Sequence, residues 1–115
     1  IWNINSFAEF YLQIFGKYEK DYIKACRNFV VERESFYYEL CKNPYLYVVP
    51  SRANYFLCEV IDKYTSTELV QKLIEHDVIV SDCGRKNNMN GRNLVRLAIR
   101  GREDNLKLIS ILKTL

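Results

Sequence analysis

The chain has 115 residues, 49% of them hydrophobic and 27% charged, which gives room for one modest core and is too apolar for a disordered chain. A formal charge of +3 is far from the basic stripe of a dedicated nucleic-acid binder. No apolar run approaches the roughly 20 residues of a membrane span, and no signal peptide opens the sequence. In chain order, Ser6 and Glu9 are spaced as a capping box, which predicts a short helix carrying Phe7, Phe10, Tyr11 and Ile14 and ending at Gly16. A longer helix is predicted from Asp21, with Tyr22, Cys26, Phe29, Val30, Phe36, Tyr37 and Leu40 at three- and four-residue intervals. Asn43-Pro44 ends it, because the residue before proline is pushed out of helical geometry. About twenty residues of helix reach roughly 30 Å, long enough to connect two bodies.

Beyond residue 43 the pattern changes. Tyr45 to Val49 and Asn54 to Val60 read as strands separated by Pro50-Ser51. Thr65 and Glu68 repeat the capping-box spacing and open a helix through Leu69, Val70, Leu73 and Ile74. A third strand is predicted at Val78-Ile79-Val80, then a polar loop from Asp82 to Arg92, a fourth strand from Leu94 to Arg100, and a last helix begun by Glu103-Asp104. The fold class is therefore α+β: residues 1–42 form a helical connecting segment (a short helix plus a long interdomain helix), and 43–115 form a small domain, a β-β-α-β-β-α two-layer sandwich.

Cys26, Cys41, Cys58 and Cys83 form no C-x-x-C pair, and the single histidine, His76, is near none of them in sequence, so neither zinc nor a disulfide framework is expected. Reduced thiols packed as small hydrophobes are the simpler reading. His76 at a helix end reads as structural.

The fourth strand carries the chemistry. Its period of two puts Val95, Leu97 and Ile99 on one face and Arg96, Ala98 and Arg100 on the other. Guanidiniums on an open face suit a carboxylate or phosphate, which arginine grips with two parallel hydrogen bonds. A pair of solvent-facing arginines is nevertheless the commoner outcome of such spacing. Asn54 and Asn5 are candidates to stand behind this site and orient it, although satisfying a turn or capping a helix is the plainer role for either. The basic loop from Gly84 to Arg92 can touch a phosphate, but such runs are usually solvated turns. With its many tyrosines the domain also admits a non-catalytic reading, as an RNA-binding or dimerisation module.

The run Val95-Arg96-Leu97-Ala98-Ile99-Arg100-Gly101-Arg102-Glu103-Asp104-Asn105 resembles the C-terminal motif of fold-type I pyridoxal-phosphate enzymes. It is most similar to the branch of histidinol-phosphate aminotransferase and threonine-phosphate decarboxylase. Four further segments resemble the same family in order: Trp2-Asn3-Ile4-Asn5-Ser6, Val31-Glu32-Arg33-Glu34, Pro50-Ser51-Arg52-Ala53-Asn54-Tyr55-Phe56-Leu57, and Val78-Ile79-Val80-Ser81-Asp82-Cys83. The resemblance implies a C-terminal small domain with its connecting helix, in which Arg96 binds the substrate carboxylate; Arg100, the second substrate-binding candidate, is more like the threonine-phosphate decarboxylase branch than the aminotransferase branch. It implies pyridoxal 5'-phosphate as cofactor of the full-length enzyme, an amino-acid substrate, an upstream large domain, a homodimer, a cytoplasmic setting, and no nucleic-acid or membrane partner. Ser81 stands where many members carry an arginine that helps hold a substrate phosphate. The cofactor lysine is not assigned in this chain, so the chain alone is expected to be inactive, with aminotransfer the broad activity of the parent and decarboxylation the alternative.

Overall fold

The computed structural model describes residues 4–84, 86, 89 and 91–115. They divide into two compact units, Ile1–Val31 and Glu32–Leu115. The α+β class is borne out, with a long N-terminal helix followed by a small antiparallel sheet and two more helices.

Residues of the first unit belong to α1, which runs without interruption over Ser6–Leu40 and ends in the second unit. The two helices expected on either side of Gly16 are thus one. A glycine ends a helix when it takes a left-handed conformation, and Gly16 does not: Gly91 is the described glycine with positive φ. The Phe15 ring contacts Tyr11 at 6.0 Å and Tyr22 at 5.4 Å, so side-chain packing continues past the glycine and offsets its intrinsic cost of about 1 kcal/mol. The cap is Asn5 rather than Ser6. Its Oδ1 accepts from the Ala8 N–H at 2.9 Å, which satisfies one of the orphan donors of the first turn.

In the second unit the last turns of α1 lead into β1 (Leu46–Val48), β2 (Tyr55–Val60), α2 (Ser66–Glu75), β3 (Ser81–Asp82), β4 (Leu94–Ala98) and α3 (Arg102–Thr114). The sheet order is β1-β2-β4-β3, every neighbouring pair antiparallel. Alternation along the two central strands defines the faces. Phe56, Cys58 and Val60 of β2 and Val95 and Leu97 of β4 are buried, whereas Tyr55, Arg96 and Ala98 are exposed and Leu57 and Glu59 half-exposed. The buried face receives Phe36 and Tyr37 of α1, whose rings lie 6.1 and 5.4 Å from that of Phe56. Leu69 and Leu73 of α2 and Leu108, Ile109 and Leu112 of α3 complete the core.

The turns explain where each element stops. After α1, Asn43 accepts from the Tyr45 N–H at 3.0 Å and donates to the Leu112 carbonyl at 3.3 Å. The Thr65–Glu68 capping box forms as its spacing predicts. At the far end of α2, His76 is the C-cap and Asp77 adopts φ 59°. There the Val78 N–H bonds the Leu73 carbonyl at 2.9 Å and the Asp77 N–H bonds that of Ile74 at 3.0 Å, a Schellman closure. This closure uses the backbone of Val78, and the predicted third strand moves downstream to Ser81–Asp82, leaving Ile79 88% exposed. The fourth strand ends two residues early, at Ala98, although the Ile99 N–H still reaches the Asn54 carbonyl at 2.9 Å.

Candidate functional site

The outer face of the sheet brings together the residues that matter. Arg96 sits at the middle of β4, directly opposite Leu57 on one side and Ser81 on the other. Its guanidinium carbon lies 5.4 Å from the centroid of the Tyr55 ring. Among the described residues Arg96 makes no hydrogen bond or ion pair. The neighbouring acid on that face, Glu59, is taken by Arg92 at 3.0 Å. A strand therefore presents a guanidinium whose five N–H groups are uncommitted, flanked by an apolar side chain and a small hydroxyl, which is the donor set a carboxylate or phosphate requires.

Arg100 does not share this position. β4 has ended, and the Arg100 Nε donates to Asp104 Oδ2 at 2.7 Å, a contact that raises the guanidinium pKa still further. Arg100 is thus committed to Asp104, whereas Arg96 has no such partner among the described residues. Arg100 instead lines a cleft of about 360 Å³, together with Lys107, the acidic Asp77 and Asp104, and the apolar walls of Val78, Ile79 and Leu108.

The two asparagines have other observed roles. Asn54 is exposed and contributes its backbone carbonyl to Ile99, while Asn5 caps α1 in the other unit. The residue that sequence reading missed is Asn105, 3% exposed. Its Oδ1 accepts from the Arg100 N–H at 3.0 Å, and its Nδ2 donates to the Arg100 carbonyl at 3.0 Å and to Glu32 Oε1 at 2.9 Å. One side chain thus ties the exit of β4 to the start of α3 and to the last turns of α1. Its signal in the sequence was its place after the acidic pair at the end of the run Val95 to Asn105, which gives no hint of its partners.

The loop after β3 is partly described. Asp82 accepts from Ser66 Oγ at 3.0 Å, Thr67 Oγ1 at 2.8 Å and the Gly84 N–H at 2.9 Å, which anchors the loop to α2. Arg85, Asn87, Asn88 and Asn90 lie outside the described residues, as do Trp2 and Asn3 at the start of the chain. All four cysteines are free: Cys58 and Cys83 are buried as expected, while Cys26 and Cys41, on or just beyond α1, are exposed. Burial pushes the Cys58 thiol up to about 12. Among the described residues no group of His, Cys, Asp and Glu is placed to hold a metal. No helix among the described residues is long and apolar enough to cross a membrane.

Residues 6–110 match the family of class I and II aminotransferases. The chain belongs to that family. An L-serine phosphate decarboxylase of Campylobacter jejuni is 30% identical over 108 residues, covering 91% of this chain and 27% of the relative. A histidinol-phosphate aminotransferase of Methanococcus aeolicus is 35% identical over 101 residues, covering 88% of this chain and 25% of the relative. Among solved structures, a decarboxylase of Sulfurospirillum multivorans aligns with a TM-score of 0.87 at 28% identity, over 98% of this chain and 32% of that one. The chain therefore spans about a third or less of the length of these relatives.

Members of this family typically use pyridoxal phosphate. Among the described residues no site for it is shown: no strand of the sheet carries a lysine, and of the nine lysines Lys42 and Lys113 are engaged by Glu39 and Lys63 by the Leu115 carbonyl.

Proposed function

We propose that this chain is the small domain of a pyridoxal-phosphate-dependent aminotransferase acting on an amino acid, and that Arg96 holds the substrate carboxylate. The observation that carries the proposal is the exposed Arg96 guanidinium, which has no hydrogen-bond or ion-pair partner among the described residues. Pyridoxal phosphate, held by residues outside this chain, supplies the electron sink for the reaction at the substrate Cα. The contribution of this chain is orientation. A carboxylate held by two parallel N–H···O bonds fixes the rotation of the substrate about its Cα and so decides which bond is presented for cleavage. Closing the domain over the substrate removes water, which strengthens the ion pair. Arg100, lining the neighbouring cleft, is the position for a second anionic group of the substrate. An upstream large domain and a second copy of the enzyme belong to the same proposal.

Decarboxylation is a second reading, favoured by the similarity to the Campylobacter and Sulfurospirillum decarboxylases over 91% and 98% of this chain. In that case the group that Arg96 holds is the one that departs.

The test uses the longer protein that carries this chain. A visible absorption band that borohydride removes, with turnover of an amino acid, supports the proposal, and the product (oxo acid or amine) separates the two activities. A colourless protein that takes up no added pyridoxal phosphate contradicts it, and the interaction-module reading then stands.

A further inference from the structure

We infer that Tyr55 is a positioning residue for Arg96: the face of its ring holds the guanidinium so that the N–H edge stays free for the carboxylate. The inference rests on the function proposed for Arg96 and adds a residue to it. Tyr55 is paired with Ala98, two residues beyond Arg96 on β4, so the two side chains are diagonal neighbours on the outer face. The methyl of Ala98 leaves the ring room to lean toward Arg96, and the guanidinium carbon lies 5.4 Å from its centroid, within cation–π range.

The geometry matters because of what is absent around it. An arginine with no hydrogen-bond or ion-pair partner among the described residues samples many rotamers, and ordering it on substrate binding opposes affinity. A carboxylate partner would order the side chain but would occupy the N–H groups that the substrate needs. An aromatic face orders the guanidinium through its π surface and leaves all five in-plane donors uncommitted. Leu57 and Ser81, opposite Arg96 on the two flanking strands, offer neither a charge nor a ring to compete. Tyr55 is itself partly exposed, at 39%, so its replacement leaves the buried face untouched.

The experiment compares the wild type with Tyr55→Phe and Tyr55→Leu. In the chain labelled with ¹⁵N-arginine, the order parameter of the Arg96 Nε–Hε vector reports its restraint directly. The expected result is a well-ordered Arg96 in the wild type and in Tyr55→Phe, and a mobile one in Tyr55→Leu. If Tyr55→Leu does not fold, Tyr55→Val, with its higher strand propensity, gives the same comparison. In the longer enzyme the leucine variant should raise the KM of the amino acid about two- to fivefold with kcat unchanged, and phenylalanine should restore it. An Arg96 equally ordered with leucine, or equally mobile with phenylalanine, overturns the inference. The function beneath it fails separately: it is lost if Arg96→Ala leaves amino-acid turnover unchanged, whereas loss of turnover in Arg96→Ala with no change of KM in Tyr55→Leu removes only the role of Tyr55.

Discussion

Ser81 stands directly opposite Arg96 in the β3–β4 pair. The pairing makes this position a natural place to add or withhold a second positive charge. Ser81→Arg would set two guanidiniums side by side, and like charges directly opposite one another cost up to about 1 kcal/mol. The variant should melt a few degrees lower at low salt, and the difference should shrink as salt is added. It should also bind phosphate-bearing ligands more tightly than the wild type, which titration with inorganic phosphate checks.

Asn105 is the buried polar residue whose loss should be most costly. Removing its side chain leaves the Arg100 N–H without its acceptor and Glu32 without one of its donors. Asn105→Ala should destabilise the second unit by about 1–3 kcal/mol in denaturant unfolding. Asn105→Asp should not rescue it, because a carboxylate cannot donate to Glu32.

The capping box at α2 gives an acid dependence of defined sign. Glu68 accepts from the Thr65 N–H and hydroxyl, which hold its carboxyl below the usual range. A carboxylate depressed in the folded state contributes stability above its unfolded pKa, and that contribution disappears as pH falls through the folded value. Thermal unfolding followed from pH 7 down to pH 3 should therefore show less acid sensitivity in Glu68→Gln than in the wild type. Thr65→Ala should cost about 1 kcal/mol at neutral pH.

The thiols should divide into two classes. Cys26 and Cys41 are exposed and should react rapidly with a disulfide reagent at pH 8, whereas Cys58 and Cys83 should react only as the fold opens. With its pKa raised to about 12, Cys58 stays protonated in the folded state. Its burial therefore favours folding up to the ordinary thiol pKa, and that advantage falls away as pH rises from there toward 12.

Sequence pattern carried most of the second unit, because alternation and capping chemistry are local. Phe56, Cys58 and Val60 against Tyr55, Leu57 and Glu59 declare a half-buried strand, and Thr65 with Glu68 declares a helix start. Gly16 misled because the decision between a cap and a helix interior depends on the rings of Tyr11, Phe15 and Tyr22, which cross it. Val78 misled for a similar reason. Its β propensity is real, but its N–H is already used to close α2, and the strand waits until Ser81. At the site, Arg96 was legible from its place on an alternating strand. The separation of Arg100 was not, since it follows from a strand that stops at Ala98 and from an ion pair with Asp104. The link from Asn105 to Glu32 and that from Tyr55 to Arg96 were hidden because their partners are distant in sequence.

The most direct test of the account is the discrimination between an amino acid and the amine that lacks its carboxylate, measured in the longer enzyme with and without Arg96. If Arg96 holds the carboxylate, Arg96→Ala should lower kcat/KM for the amino acid by about 30-fold or more, the loss expected when one partner of a hydrogen-bonded charge pair is removed. Arg96→Lys should recover only part of this, because lysine offers no fork. Handling of the amine should be nearly unchanged. An Arg96→Ala enzyme that keeps the wild-type preference for the amino acid would contradict the account.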